Sequence, residues 1–528
     1  MTIEVGNVVS SIVHGVFNKE TYNAFRQHLG YRPEGWKHAI RSNIAKVEAQ
    51  CRAKGWSPES TKNAVLRAKQ WDGYISNVRY NAGHCGYYKK RKYTHFPSGL
   101  IGLARKFFDK YKIPYKLIDI REKCSIHDLD LHLSDEMEER DYQIDAKEKA
   151  CKAQRGILKC ATGSGKTSIA ASIIAELGVS PTIFYVTSVD LLKQAHDEIA
   201  RFVQHHGVPI EVGMVGGGHK DIKDITVMTV QTAVRSLGEK FSAEYKFDDE
   251  DKDDKMDISD IKQDINNLIR SCKCFINDEC QHVAAKTCQL IADHSENAYY
   301  RYGMSGTPYR DLGDDIMIDA CFGKPIVDIS ASFLIRKGYL VRPDIFFLNV
   351  DNFSVCAYSS YPKIYKHALK ENSLRNSWIA QIATKMISEG RLPLVLCKHI
   401  DHGKLLQSMI PGSTFLHGSI SKKKRFEHLN LMRERKCGVT LASSIFDEGI
   451  DVKPLDSLIL AGSGKSATRA LQRIGRILRP WPNRDNNQKK EAIAVDFMDN
   501  CNYLREHSER RLKIYKTEEE FNIKTLVL

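Results

Sequence analysis

The sequence predicts an α/β protein: two tandem lobes, each a doubly wound parallel sheet, behind a small α+β N-terminal domain. Three observations predict it. An apolar strand candidate at 156–159 runs into the loop Cys160-Ala161-Thr162-Gly163-Ser164-Gly165-Lys166-Thr167 and out into an apolar helix at 168–177. Apolar strand-like runs at 181–186, 225–228 and 274–277 alternate with helical stretches as far as residue 325. The alternation then repeats, with strands read at 394–397, 413–416, 439–442, 458–460 and 492–496. A chain of 528 residues accommodates three to four domains, drawn here as 1–125, 126–325 and 326–528, with the crossing between the lobes at 333–343.

The first domain mixes a helical stretch at 36–70, aromatic strand-like segments near 71–93 and a helix at 97–111. The chain carries 79 Lys and Arg against 65 Asp and Glu, a formal charge of +14. The surplus is concentrated: residues 79–116 hold ten basic residues against the one acid Asp109, net +9, with Tyr80, Tyr87, Tyr88, Tyr93, Phe96 and Tyr111 interleaved. Lys89, Lys90, Arg91 and Lys92 form its densest part. Cations neutralise phosphates and rings stack on bases, so the stretch reads as a nucleic-acid surface, or more plainly as the lysine-rich edge of a small sheet. By contrast 248–260 holds eight acids and two lysines, net −6, and reads as a solvated insertion.

The glycine loop supplies the first chemistry. Glycines let main-chain N–H groups close around phosphates at a helix N-terminus, Lys166 adds a point charge, and the Thr167 hydroxyl suits Mg²⁺. Thr162, Gly163, Ser164 and Gly165 complete the cradle; Cys160 stands where the GxxxxGK[ST] pattern has Gly or Ala. The strand at 274–277 then delivers Asp278 and Glu279, a metal carboxylate and a group that activates water, unless the pair merely opens a helix. Gln472-Arg473-Ile474-Gly475-Arg476-Ile477-Leu478-Arg479 spaces three arginines on one helical face, suited to phosphate oxygens or simply to solvent. Gly462-Ser463-Gly464-Lys465-Ser466 imitates a second phosphate loop, but Ile459 fills its first position, so it reads as the turn before the arginine helix.

In this order the motifs resemble those of superfamily two helicases and translocases over roughly residues 125–500. The resemblance implies RecA-like lobes that use ATP and Mg²⁺, with Arg140-Asp141-Tyr142-Gln143 as the adenine-reading motif, Gln143 on the base, and Thr167 with Asp278 on the metal. It implies catalytic work for Lys166, Asp278, Glu279, Gln472, Arg476 and Arg479. Coupling falls to Gln281, His282 and to Ser305 and Thr307 of Ser305-Gly306-Thr307-Pro308; Asp278-Glu279-Cys280-Gln281 departs from both DEAD and DEAH spellings. Looser matches put Thr187, Ser188, Gly216, Gly217, Thr229, Gln231, Ser443 and Ser444 on nucleic acid, and Gly449 and Asp451 on nucleotide.

Within that class, Trp71-Asp72-Gly73-Tyr74-Ile75, Phe96-Pro97-Ser98-Gly99-Leu100-Ile101-Gly102, and the stretches 334–341 and 372–379 resemble phage UvsW-type branch-migration helicases and, more distantly, the XPB-like group. The implied activity is ATP-dependent unwinding or branch migration of forked and junction DNA in replication, recombination or repair. An RNA helicase, a restriction-nuclease motor subunit and a nucleotide-gated binding module are the alternatives. No apolar run nears about 18 residues, the first ten residues lack a signal pattern, and the fourteen cysteines form no C-x-x-C pair. The expectation is a monomeric cytoplasmic protein of a bacterial or phage-infected cell, neither secreted nor membrane-bound, with reduced thiols.

Overall fold

Five strands at the N-terminus form one sheet in the order Arg79–Tyr80, Thr94–Pro97, Val9–His14, Thr2–Val5 and Lys116–Asp119. The computed structural model describes residues 1–15, 17–31, 47–53, 57–69, 75–80, 93–238, 257–281, 285–309, 315–351, 360–443, 452–462, 464, 466–481 and 491–527. An aromatic core seals this sheet: Phe25 packs on Phe107 with ring centroids 5.0 Å apart, and Phe96 and Phe108 are buried beside them. The predicted helix at 97–111 begins as a 3₁₀ turn, Ser98–Leu100, and becomes α-helical over Ile101–Lys110. That turn is a docking seam. It lies on the helix Ile316–Phe322, so close that a Cβ on Gly99 would collide with the carbonyls of Asp319 and Ala320. Arg155 bridges the same seam, donating to the carbonyls of Asn7 (3.3 Å) and Cys321 (3.1 Å).

The eight-stranded sheet runs His219–Asp221, Val212–Gly216, Ile225–Thr229, Thr182–Val186, Cys274–Asp278, Tyr300–Ser305, Arg155–Cys160, Pro325–Ile329. Its central pairs are parallel and its strand at His219–Asp221 is antiparallel. Buried on both faces, such strands read as unbroken apolar runs, which is why those at 181–186, 225–228 and 274–277 stand out in the sequence. The acidic stretch behaves differently from a solvated insertion at its end. Residues 248–256 lie outside the described residues, but Ile258 is buried in the core of this sheet and Asp260 pairs with Lys220 at 2.6 Å.

The seven-stranded sheet is parallel throughout, in the order Thr414–Leu416, Thr440–Ala442, Pro393–Leu396, Ser457–Leu460, Ala492–Asn500, Pro343–Asp351, Asn522–Val527. The five strands read from sequence are present; Pro343–Asp351 and the C-terminal strand are additional. Glu518 ties the C-terminal turn to the helix Ala331–Arg336, its Oε2 accepting from both the main-chain N–H and the hydroxyl of Ser332, each at 2.7 Å. The chain divides into two compact units, one running from Met1 to Val327 and the other from Asp328 onward, with Lys159–Lys166 counted in the second.

Candidate functional site

The phosphate loop leaves the buried strand Arg155–Cys160 and enters the helix Lys166–Leu177. Gly163 and Gly165 sit at φ +89° and +79°, values that L side chains rarely adopt, so the tight turn between strand and helix needs glycine at both. The Ser164 N–H closes the turn on the Ala161 carbonyl at 3.1 Å, while Thr162, Lys166 and Thr167 stay partly exposed. Cys160 is wholly buried as the last residue of its strand. A thiol of this size fits there as a small hydrophobe, which explains its tolerance at the pattern's first position.

Arg140 and Gln143 open the helix Asp141–Ala153. The Gln143 carboxamide oxygen accepts from the Arg140 N–H at 2.9 Å, and the Arg140 guanidinium donates to the Tyr142 hydroxyl at 3.0 Å. The buried glutamine therefore stiffens the first turn through its oxygen.

Asp278 ends its strand buried, in register with Met304, one residue before Ser305. Glu279 follows at φ +48°, a left-handed conformation that costs a non-glycine residue about 1 kcal/mol or more. Three bonds hold it there: the Glu279 N–H donates to Asp278 Oδ1 (3.0 Å), Gln281 Nε2 to Glu279 Oε2 (2.6 Å), and the Cys280 N–H to the Met304 carbonyl (3.1 Å). Ser305 and Thr307 are buried, the Ser305 hydroxyl accepting from the Thr307 N–H at 2.9 Å. Gln281 is bonded directly to Glu279; His282 lies outside the described residues.

The strand-gripping candidates gather where three neighbouring strands end. Ser188 caps the helix Val189–Phe202, accepting from the Leu191 N–H (3.3 Å), and Thr229 caps Val230–Ser236, accepting from the Thr232 N–H (3.3 Å). Gln231 Nε2 donates to the Thr187 carbonyl at 2.6 Å, and on the far side of Ile225–Thr229 the strand Val212–Gly216 ends at Gly216, with Gly217 following. Thr187 Oγ1 and Gln231 Oε1 are buried with no hydrogen-bond partner among the described residues. Such orphaned acceptors are costly in a finished fold and normal where a ligand completes it.

In the seven-stranded sheet, Ser443 follows the strand Thr440–Ala442 and its N–H reaches the Leu416 carbonyl at 3.0 Å; Ser444, Gly449 and Asp451 lie outside the described residues. Ile459 lies in the strand Ser457–Leu460, Gly462 follows in a turn, Ser463 and Lys465 lie outside the described residues, and Ser466 caps the helix Ala467–Ile477 by accepting from the Arg469 N–H at 3.3 Å. Gln472, Arg473 and Arg476 are on that helix. Arg479 is not, because the helix stops at Ile477: Pro480 disfavours helical geometry at the residue before it, and the Val341 N–H takes the Leu478 carbonyl at 2.8 Å. Lys89, Lys90, Arg91 and Lys92 lie outside the described residues.

The sequence reading missed the groups under this turn. Arg511 and Asp496 form a buried bidentate pair (2.8 and 2.9 Å), joined by the Tyr515 hydroxyl on the same carboxylate at 3.1 Å. Arg375 and Asp499 form another, its shorter contact 3.0 Å, with the guanidinium 4.2 Å from the centre of the Phe497 ring. Burial raises the Asp499 carboxyl, with Arg375 opposing; burial lowers Arg511, and Asp496 more than restores it. The available signal was periodicity, since Leu504, Ser508, Arg511 and Tyr515 share the buried face of Asn502–Tyr515.

Comparison with known proteins agrees with this geometry. Residues 136–310 match the family model "Type III restriction enzyme, res subunit", and 377–480 match "Helicase conserved C-terminal domain". The chain is 26% identical over 509 residues to the ATP-dependent DNA helicase uvsW of Enterobacteria phage T4, covering 87% of this chain and 91% of that one. It is 24% identical over 407 residues to the DNA 3'-5' translocase XPB2 of Sulfurisphaera tokodaii, covering 69% and 82%. A fragment of a type I restriction HsdR subunit from Vibrio vulnificus superposes on 74% of this chain and 68% of its own, at TM-score 0.51 and 18% identity, a likeness of fold. With one family model over each of its two RecA-like sheets, and an order of motifs that both relatives' superfamily shares, the chain belongs to the superfamily two DNA helicases and translocases, beside their UvsW-type and XPB-like members.

Proposed function

We propose that this ATP-dependent DNA helicase works on branched substrates, forks and four-way junctions, and does so with three domains at 1–125, 126–325 and 326–528. The observation that carries the reading is the crowding of polar and glycine candidates onto the C-terminal ends of one parallel sheet's strands. Thr187, Ser188, Gly216, Gly217, Thr229 and Gln231 stand at one stretch of that edge, and Asp278 and Glu279 end the neighbouring strand. Ligands of open α/β sheets bind at this edge.

In this reading the glycine loop and Lys166 bind the β- and γ-phosphates, and Gln143 offers its amide to adenine. Thr167 and Asp278 are hard oxygen donors that fit Mg²⁺, which when bound supplies positive charge against the phosphate oxygens. Glu279 takes a proton from the attacking water, and Gln281, bonded to it, passes the state of that carboxylate toward Ser305 and Thr307. Gln472, Arg476 and Arg479 approach the γ-phosphate as the lobes close, so that hydrolysis is tied to domain motion. Phosphate contacts dominate the grip, and sequence preference is weak.

The substrate preference is tested on the N-terminal basic run. Changing Lys89, Lys90, Arg91 and Lys92 to Ala together weakens gel-shift binding to forks and four-way junctions more than to single strands, and lowers the salt slope. Equal loss on every substrate contradicts a junction anchor. The restriction-subunit match over 136–310 favours a second reading, a motor that tracks along duplex DNA. Displacement of a third strand from a triplex without separation of the duplex identifies that motor.

A further inference from the structure

Two arginines 136 residues apart and two aspartates of one strand converge beneath the turn that launches the arginine helix. Its main chain leaves the strand Ser457–Leu460 at Ala461, passes Gly464 and enters the helix at Ser466. The Arg375 guanidinium, held on Asp499 by Nε and Nη2, donates its remaining nitrogen to the Ala461 carbonyl at 2.6 Å. Arg511, held bidentately on Asp496, reaches the Gly464 carbonyl with Nη1 at 3.3 Å and the Phe497 carbonyl with Nη2 at 3.2 Å. Both arginines and both aspartates are buried, and Asp496 and Asp499 come from the strand Ala492–Asn500, which pairs with Ser457–Leu460.

This arrangement does more than hold the core together. A buried ion pair is weak evidence for stability, because apolar residues of similar volume usually replace it at no loss. What apolar residues lack is a fork that binds a carboxylate with one edge and a main-chain carbonyl with the other, and lysine lacks it too. We infer that Arg375 and Arg511 are positioning residues for hydrolysis: by fixing the Ala461 and Gly464 carbonyls they set where the following helix carries Arg476 and where the chain just past its end carries Arg479. The inference rests on the proposed role of those two arginines, and neither Arg375 nor Arg511 touches nucleotide.

The test is steady-state ATPase of the full chain with saturating forked DNA, on Arg511→Lys, Arg375→Lys and the charge-neutral pair Arg511→Met with Asp496→Leu. Arg479→Ala serves as the control. Each positioning variant is expected to lose at least about tenfold in kcat while KM for ATP stays within about twofold, with a single melting transition retained. A merely structural role would lower the melting temperature and leave the kcat of the folded fraction alone, and a wild-type kcat in the folded variants overturns the inference. Should the neutral pair fail to fold, Arg511→Lys, which keeps a charge on Asp496 and drops the fork, decides by the same ratio. If Arg479→Ala itself turns over at the wild-type rate, the role of the arginine helix is wrong; if only the control is slow, the positioning role is wrong.

Discussion

The eight-stranded sheet holds its candidate chemistry with main chain, and the seven-stranded sheet holds its own with buried charge. In the first, the phosphate loop needs two glycines at positive φ and one 3.1 Å closure, and Glu279 is fixed by neighbours within two residues plus one bond to the adjacent strand. In the second, the turn before the arginine helix depends on Arg375, 86 residues from Ala461, and on Arg511, 47 residues from Gly464. The difference teaches where each half is vulnerable. Substitutions in the first sheet's loops should abolish turnover and spare the fold, whereas single substitutions in the second sheet's scaffold should disturb both.

The largest expected effect is that of Lys166→Ala. Losing the charge on the phosphates should cut DNA-stimulated ATPase by about 10³-fold or more while gel-shift DNA binding and the melting temperature hold, because Lys166 is partly exposed and lies outside the sheet's apolar core. Turnover near wild type would remove the phosphate loop from the account. Glu279→Gln should lose roughly 10²- to 10⁴-fold, the range of a general base, with ATP retained on filter binding. Failure to retain ATP would show Glu279 holding nucleotide rather than activating water. Arg479→Ala should lose about 10²-fold in kcat with KM nearly unchanged, as a group acting on transition-state charge does.

Two smaller effects sharpen the contrast through stability. Asp499→Ala strands Arg375 as an uncompensated buried charge, so urea unfolding should register a loss of about 3–5 kcal/mol. The same measurement on Lys166→Ala should show almost none, and equal losses would erase the distinction between the two regions. The weakest effect concerns His402, whose Nε2 bonds the Asn376 carboxamide oxygen at 2.9 Å beside Arg375. Burial, then Arg375, His399 and Lys370, push this imidazole down to about 3, so the folded protein excludes a proton that the unfolded chain takes up below about 6.5. Stability should therefore fall as pH drops from 7 to 5, and His402→Gln should flatten that slope. An unchanged slope would mean that His402 does not contribute to it.

The contrast also explains what was legible in the sequence. Parallel strands buried on both faces announce themselves as apolar runs, and a phosphate loop is eight consecutive residues, so the sheets and the loop could be read directly. The run Phe96-Pro97-Ser98-Gly99 is marked in the sequence only by a family resemblance; its structural reason is a seam against Asp319 and Ala320, some two hundred residues away. Arg511 carries a signal in the period of its helix, but its convergence with Arg375, Asp496 and Asp499 is visible only once the strand Ala492–Asn500 lies beside Ser457–Leu460. The break at Ile477, which takes Arg479 off its helix, was within reach, because Pro480 stands in plain view. The burial of Ile258 at the end of the acidic run was not, since one apolar residue among acids carries no periodicity.

One measurement bears most directly on the whole account: the maximal ATPase rate of the unmodified chain with Mg²⁺, with and without forked DNA, against Lys166→Ala as the blank. Coupling of the glycine loop to the polar edge formed by Thr187, Ser188, Thr229 and Gln231 predicts that DNA raises kcat by about tenfold or more and that the blank stays flat. A kcat that forked DNA leaves unchanged would contradict it, because the two halves of that edge would then be working independently.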